Sequence, residues 1–293
     1  MSPRFGRVIT AMVTPFDDDG ALDLDGAAVL ADWLVTNGSD GLVLCGTTGE
    51  SPVLSDSEEI ALTRAVRAAV GVPILLGTGS NDTSYAVEAT RRAAELGVEG
   101  VLVVSPYYNR PPQSGLDVHF RAIAAATELP VVLYDIPVRT GRKISTDLLV
   151  RLCTEVPNIV GLKDAAGDPA ETASFIARVP DEVEVYSGDD ALTLPLLAVG
   201  AVGSISVASH WVGRQLGEMI SAHEKGDVVA ARRINASLIE SYDFESGEEA
   251  PNPIPTKALL RVLGLPVGQC RAPMGPAPDW VEAAARGVLA RLA

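Results

Sequence analysis

The chain has 293 residues and is strongly acidic, which limits the partners it can have. Its formal net charge of −15 argues against nucleic acid or an anionic membrane surface as a partner, because both attract basic proteins. With 47% hydrophobic residues it can bury a large core. The length fits either two domains or one α/β barrel with an appendage, since such barrels commonly run to about 250 residues.

The sequence carries no recognisable targeting or membrane signal. Residues 1–7 lack the apolar stretch of a signal peptide, and no segment approaches the roughly 18 uninterrupted apolar residues of a membrane span. The three cysteines, Cys45, Cys153 and Cys270, are too widely separated to indicate a disulfide framework or a metal site. We therefore expect a cytoplasmic protein.

Short apolar runs alternate with helix-like stretches along the first two thirds of the chain. The runs are continuously apolar, as are strands that are covered on both faces. Eight runs alternating with helices predict parallel strands with right-handed crossovers, and hence an α/β protein with a closed (β/α)8 TIM barrel. An open doubly wound sheet is the alternative. The runs are residues 7–15, 41–46, 72–79, 100–106, 130–137, 159–164, 183–188 and 201–208.

The last third of the chain reads as helical. After Ala208 no further strand is evident, and the apolar spacing predicts helices. We expect residues 1–225 to form the barrel that carries the active site and residues 226–293 to form a C-terminal helical region. The predicted helices of this part are residues 211–225, 227–242, 256–263 and 277–292.

Lys163 ends the sixth apolar run. It is one of only four lysines, against nineteen arginines, so lysine is not the general solubilising charge of this chain. A lysine at the end of a buried strand must lose its charge or find a partner. Without its proton it is a nucleophile that forms a Schiff base with a carbonyl compound. The alternative is a lysine that extends to water or pairs with Asp164.

Polar residues follow other apolar runs, where the active site of such a barrel gathers. Thr47 and Thr48 lie between glycines after the second run, and backbone amides there can bind a carboxylate. A capping loop for the following helix is the alternative. Tyr134 ends the fifth run, and Arg139 follows in a turn, where it can hold a carboxylate with two hydrogen bonds, although a surface arginine is commoner.

The remaining candidates complete a set that suits imine chemistry. Tyr108 lies in a proline-rich loop after the fourth run, although adjacent tyrosines are more often packing or interface residues. Gly188 and Ile205 lie where the seventh and eighth runs end. Hydroxyls, amides, an arginine and a lysine at strand ends suit a lysine that attacks an α-keto acid. Metal-assisted aldol chemistry would need a cluster of metal ligands, which the sequence spacing does not indicate.

In order and spacing these motifs resemble the dihydrodipicolinate synthase family of the class I pyruvate aldolases, a superfamily that includes N-acetylneuraminate lyase. The resemblance extends from about Val8 to Pro276. It rests on residues 13–16, 46–51, 106–109, 134 with 137, 139–141, 161–163, 187–190 and 252–255.

The resemblance implies a lyase that condenses pyruvate with L-aspartate-4-semialdehyde, the first committed step of the diaminopimelate and lysine pathway. It implies that Lys163 forms the Schiff base with pyruvate and that no separate cofactor is needed. Tyr134, Thr47 and Tyr108 would form a proton relay, with Tyr108 reaching into the site of a neighbouring subunit. The expected assembly is a homotetramer.

The resemblance also implies how the substrates are bound. The amides of Thr47 and Thr48 would hold the carboxylate of pyruvate, Arg139 would bind the carboxylate of the aldehyde, and Gly188 and Ile205 would line the pocket. Arg139 argues against an N-acetylneuraminate or 2-keto-3-deoxy sugar acid lyase, since the sialic-acid lyases generally lack this arginine and a buried charge pair discriminates strongly. A non-catalytic paralogue that binds a keto acid is a further alternative.

One departure from the family concerns feedback by lysine. Sensitive members have a carboxylate after a Gly-x-Asn turn and imidazoles in the loop that follows Glu50. Here Tyr85 stands where the carboxylate would be, and Asp56 and Glu59 replace the imidazoles. We expect weak or absent inhibition by lysine.

Overall fold

The computed structural model describes residues 3–292. Within this range eight parallel strands follow one another in chain order around a closed barrel, which confirms the predicted (β/α)8 fold. Each strand has only four to six residues, and nearly all of its side chains are buried. The strands are β1 (Val8–Ala11), β2 (Gly41–Leu44), β3 (Ile74–Gly77), β4 (Gly100–Val104), β5 (Val131–Asp135), β6 (Ile159–Asp164), β7 (Glu184–Ser187) and β8 (Gly203–Ser206).

At least one helix follows every strand. Several helices begin at an aspartate or serine whose side chain accepts a hydrogen bond from the first turn, such as Asp23, Asp82 and Asp168. The helices are α1 (Leu24–Thr36), α2 (Asp56–Ala69), α3 (Thr83–Ala94), α4 (Gln113–Ala124), α5 (Pro137–Thr140), α6 (Thr146–Glu155), α7 (Pro169–Ile176), α8 (Thr193–Ala198), α9 (Ser209–Glu224), α10 (Val228–Glu245), α11 (Ile254–Val262) and α12 (Asp279–Leu292).

The predicted elements are present, with differences at their ends. Every predicted apolar run contains a strand, and helices α9 to α12 occupy the four segments predicted to be helical after residue 208. The predicted runs are longer than the strands: the first covers residues 7–15, whereas β1 covers Val8–Ala11. The free cysteines Cys45, Cys153 and Cys270 are buried. Among the described residues, no helix is both long and apolar enough to cross a bilayer.

The chain divides into two compact units. One comprises Ile74–Ile205 with the chain up to Arg7, and the other comprises Val8–Pro73 with the chain from Ser206 onward. We call them the Lys163 unit and the Thr48 unit. The boundary at residue 225 between the barrel and the C-terminal helical region stays a prediction.

In the Lys163 unit the register between β5 and β6 decides which side chains are neighbours. Val131 pairs with Ile159, and a shift of one residue follows, so that Tyr134 pairs with Lys163 and Asp135 with Asp164. Side chains alternate between the two faces of a strand, so the members of each pair share a face and the two pairs lie on opposite faces. Catalytic candidates and buried carboxylates are thereby separated.

In the Thr48 unit the C-terminal helices are held by apolar packing. Ile254 and Ala258 of α11 belong to one buried cluster with Val281 of α12. Leu259 forms a second buried cluster with Ala285 and Val288. These two clusters hold α11, including its first residue Ile254, against α12.

Candidate active site

Lys163 is buried beside Tyr134. The lysine side chain is 5% exposed, and its Nζ lies 4.3 Å from the centroid of the Tyr134 ring. The carboxylate of Asp164 accepts hydrogen bonds from the amide of Ala166 at 2.9 Å and the hydroxyl of Thr172 at 2.6 Å. The alternative interpretation, in which the Lys163 side chain extends to water, is therefore wrong, because the side chain is buried.

The phenol of Tyr134 keeps its proton at neutral pH. Burial raises the pKa of Tyr134 well above its usual value, and the charges of Asp189 and Asp135 raise it further. The positive charge of Arg139 opposes this rise. A protonated phenol next to an amine can donate a proton and receive it back, as a proton relay requires.

Gly188 leaves the space that the lysine chain occupies. A Cβ at this position would lie 2.9 Å from both Cγ and Cε of Lys163 and 3.0 Å from Cβ of Ala165. The amide of Gly188 donates to the carbonyl of Asp164 at 2.7 Å, so the backbone approaches β6 closely. Ile205 of β8 is 1% exposed.

Tyr108 and Arg139 are exposed. Tyr108 is 89% exposed and has a φ of 72°, which is uncommon for a residue other than glycine. Its loop is held by the side chain of Asn109, which donates to the carbonyl of Asn81 at 2.9 Å. Arg139 lies in the single-turn helix α5 and is exposed rather than buried, so the expectation of a buried charge pair is not met within one chain.

The loop of residues 46–51, which we call the Thr47 loop, presents backbone amides. It is closed by hydrogen bonds from the amide of Glu50 to the carbonyl of Thr47 at 3.1 Å and from the amide of Ser51 to that of Gly46 at 3.2 Å. Within residues 3–292, the amides of Thr47 and Thr48 have no protein acceptor. Two neighbouring amides of this kind can bind a carboxylate.

The alternative role of this loop, capping the next helix, is filled by other residues. Ser55 accepts from the amide of Glu58, and the carboxylate of Glu58 accepts from the amide of Ser55 at 2.9 Å. Helix α2 therefore has its own capping box. The Thr47 loop is not needed for that purpose.

Residues of the C-terminal part bind the Thr47 loop. The side chain of Asn252 donates to Oγ1 of Thr48 at 2.9 Å, and Lys257 forms an ion pair with Glu50 at 2.7 Å. Residues 252–255 belong to the motifs that carry the family resemblance, but no role was predicted for them or for Lys257. The available signal was a scarce lysine followed by three apolar residues, 258–260, in a helical segment.

Two buried carboxylates lie on the opposite face of β5 and β6. Asp135 is 1% exposed; its Oδ1 accepts from the amide of Ile144 at 3.2 Å, and its Oδ2 lies 3.5 Å from Nζ of Lys143. Lys143 also pairs with Glu171 at 2.7 Å. Burial raises the pKa of Asp135 to about 6, although the Ile144 amide and Lys143 oppose the rise and Asp164 adds to it.

A parallel barrel with a buried lysine and tyrosine at adjacent strand ends is the arrangement expected of an enzyme that acts through a lysine amine. Comparisons with known proteins identify the family. The model of the dihydrodipicolinate synthetase family matches residues 4–289. The 4-hydroxy-tetrahydrodipicolinate synthase of Parasynechococcus marenigrum (strain WH8102) is 50% identical over 296 aligned residues, which cover 100% of this chain and 97% of that protein.

Solved structures are similar over nearly the whole chain. The dihydrodipicolinate synthase from Cyanidioschyzon merolae with lysine bound has a TM-score of 0.96 at 44% identity and covers 99% of both chains. The chloride-inhibited enzyme from Acinetobacter baumannii complexed with pyruvate has a TM-score of 0.92 at 36% identity and covers 98% of both. The chain belongs to the dihydrodipicolinate synthetase family.

We expect Gly188→Ala to lower turnover roughly 10- to 100-fold, because displacing a reacting group by about 1 Å can cost that much. The added methyl group would lie 2.9 Å from Cγ and Cε of Lys163, so the lysine side chain would have to move. Steady-state kinetics and the thermal unfolding midpoint test this. Gly71→Ala is the control, since a Cβ there meets nothing within 4 Å. Unchanged turnover with a folded Gly188→Ala variant would contradict the prediction.

We expect Asp135→Asn to stabilise the protein relative to wild type increasingly as the pH rises from about 4 to about 7. The folded state binds the Asp135 proton more tightly than the unfolded chain, where the pKa is near 4, so wild-type stability declines between about pH 4 and about pH 6, where the unfolded chain has lost this proton and the folded protein still holds it. The difference in unfolding free energy should grow by up to about 3 kcal/mol.

Urea unfolding of both proteins at the two ends of this range measures the difference. Asp147→Asn serves as the control, because the side chain of Asp147 is 84% exposed. A difference that does not change with pH would show that Asp135 titrates normally.

Proposed function

We propose that this chain is a 4-hydroxy-tetrahydrodipicolinate synthase, which condenses pyruvate with L-aspartate-4-semialdehyde in the first committed step of the diaminopimelate and lysine pathway. The observation that carries the proposal is Lys163, buried at the end of β6 with its amine over the Tyr134 ring. The chain is 50% identical over its whole length to the 4-hydroxy-tetrahydrodipicolinate synthase of Parasynechococcus marenigrum.

The first half of the reaction forms the imine. The unprotonated amine of Lys163 attacks the carbonyl carbon of pyruvate, and the resulting carbinolamine loses one water molecule. The amides of Thr47 and Thr48 hold the pyruvate carboxylate. Two observations support this role: these amides have no acceptor among the described residues, and a relative has been solved with pyruvate bound.

The second half forms the carbon–carbon bond and the ring. Loss of a methyl proton turns the imine into an enamine, whose carbon attacks the aldehyde carbon of the second substrate. The amine of that substrate then displaces Nζ of Lys163 from the imine carbon, which closes the ring and frees the enzyme. Tyr134, Thr47 and Tyr108 carry the protons, and the Schiff base makes a separate cofactor unnecessary.

Arg139 and Tyr108 have roles that reach beyond the lysine. Arg139 binds the carboxylate of aspartate semialdehyde, while Gly188 and Ile205 line the pocket. Tyr108 completes the relay of a neighbouring subunit in a homotetramer. Its nearly full exposure on a backbone of uncommon conformation supports this role, because strained loop residues are often held for function.

The alternatives have less support. A sugar acid lyase of the same superfamily is not favoured, since relatives about 50% identical over 92% or more of this chain are named 4-hydroxy-tetrahydrodipicolinate synthase. A non-catalytic paralogue is not favoured while Lys163, Tyr134 and Thr47 are all present. Weak inhibition by lysine stays a prediction that rests on Tyr85, and the Cyanidioschyzon merolae relative has been solved with lysine bound.

We expect borohydride to trap a covalent pyruvate adduct on the wild-type protein and none on Lys163→Ala, because hydride addition to the carbon of the lysine imine turns the C=N bond into a stable secondary amine. Intact-protein mass spectrometry detects the adduct. Lys225→Ala is the matched control, since Lys225 is exposed and should leave trapping unchanged. An undiminished adduct on Lys163→Ala would remove the mechanism. Condensation and sugar-acid cleavage assays on the same preparation separate the two lyase classes.

We expect Arg139→Ala to raise KM for aspartate semialdehyde roughly 10- to 100-fold, the loss expected when charge-assisted hydrogen bonds to a carboxylate are removed. Trapping of pyruvate should stay at the wild-type rate, because this residue serves the second substrate. Arg142→Ala, two residues after Thr140, controls for the loss of positive charge in the same turn. If both substrates are affected equally, Arg139 does not select the acceptor.

A further inference from the structure

A buried ion pair lies at the end of the Thr47 loop. Glu50 is the second-last residue of this loop, which covers residues 46–51, and is 4% exposed. Lys257 of α11 is completely buried. Nζ of Lys257 lies 2.7 Å from Oε1 of Glu50. Both residues belong to the Thr48 unit.

Each charge has further partners. Lys257 donates to the carbonyl of Gln269 at 3.0 Å, and its Nζ lies 4.1 Å from the centroid of the Phe16 ring. The second carboxylate oxygen of Glu50 accepts from the amide of Arg271 at 2.9 Å. Burial lowers the pKa of Lys257, and the Glu50 carboxylate opposes this. The pair is thus fixed from both sides rather than free to rotate.

Stability alone is a poor reason for such a pair. Removing two charges from water costs several kcal/mol per ion, and well-packed apolar residues often stabilise a protein equally well. Glu50 also has a φ of 57°, in the left-handed region that side chains rarely adopt. A backbone conformation of this kind persists only where surrounding contacts impose it, and the contacts to the Glu50 carboxylate include those from Lys257 and Arg271.

A second contact links the same helix to the middle of the loop. Asn252, two residues before α11, donates to Oγ1 of Thr48 at 2.9 Å, and Thr256 donates to Oδ1 of Asn252 at 3.0 Å. The start of α11 therefore holds the loop at two points, the Thr48 side chain and the Glu50 carboxylate. The amide of Glu50 in turn donates to the carbonyl of Thr47, so the position of Glu50 is transmitted to the peptide groups before Thr48.

We propose that Lys257 and Glu50 are positioning residues for the first substrate. Their ion pair fixes the Thr47 loop so that the amides of Thr47 and Thr48 point together at the carboxylate of pyruvate. This inference rests on the proposed function of those amides. It assigns to the C-terminal helical region a part in substrate binding, because Lys257 comes from α11.

The test uses the double variant Glu50→Gln/Lys257→Met in the full chain. Removing both charges leaves no unpaired ion in the interior, so the fold is expected to persist. We expect KM for pyruvate to rise about tenfold and the second-order rate constant of borohydride trapping to fall by the same factor. KM for aspartate semialdehyde should stay within about twofold of wild type, since that substrate does not use these amides.

The control removes an ion pair from the same helix one turn further on. Arg261 pairs with Glu282 at 3.2 Å and donates to the carbonyl of Gly268 at 2.8 Å. Arg261→Met/Glu282→Gln therefore perturbs α11 and α12 without touching the Thr47 loop. It should leave both KM values unchanged even if its unfolding midpoint falls as far as that of the first variant.

Asn252→Ala provides a second route if the double variant does not fold. It removes only the contact to Thr48 and should raise KM for pyruvate selectively, by about threefold. An unchanged KM for pyruvate in a folded variant overturns the proposal, and so does an equal rise for both substrates. If wild type itself forms no pyruvate adduct, the proposed function fails and this inference falls with it. A normal wild-type adduct separates that case from the others.

Discussion

The pairing of β5 with β6 is the constraint on which the candidate site depends. The shift of one residue after Val131 brings Lys163 opposite Tyr134. Without that shift, Leu162 would pair with Tyr134, and Lys163 would pair with Asp135. An aliphatic side chain would then lie against the phenol, and the lysine amine would form a salt bridge. Because of the extra residue, Val160, Lys163 and Tyr134 share one face of these strands, and the buried carboxylates Asp135 and Asp164 share the other.

The few lysines of the chain occupy contrasting environments. Lys163 and Lys257 are both buried, and the Nζ of each lies close to the centroid of an aromatic ring, at 4.3 Å and 4.1 Å. Lys257 also has the Glu50 carboxylate at 2.7 Å. A carboxylate at that distance favours the ammonium form, which can hold a loop but cannot attack a carbonyl group. Lys143 lies between two carboxylates, and Lys225 is exposed.

Local patterns explain what the sequence could predict. Eight continuous apolar runs indicate eight buried strands, and a polar residue that ends a run, as Lys163 and Tyr134 do, lies where a barrel forms its site. Contacts between distant segments left no such pattern. Glu50 and Lys257 are far apart in the chain, and nothing next to either residue identifies the other. The predicted runs were longer than the strands for a related reason. Thr14 lies after the end of β1 but is still buried, and its hydroxyl donates to the carbonyl of Gly49 at 2.6 Å.

The absence of a side chain at Gly188 also limits which residues near Lys163 can be substituted. A Cβ at this position would lie 2.9 Å from two atoms of the Lys163 side chain, so a change of residue 188 would displace the lysine. The turn that carries Arg139 has an exposed side chain and no such restriction. Given the role proposed for Arg139, a directed-evolution library for new aldehyde acceptors is best built on that turn, with the glycine codon held fixed.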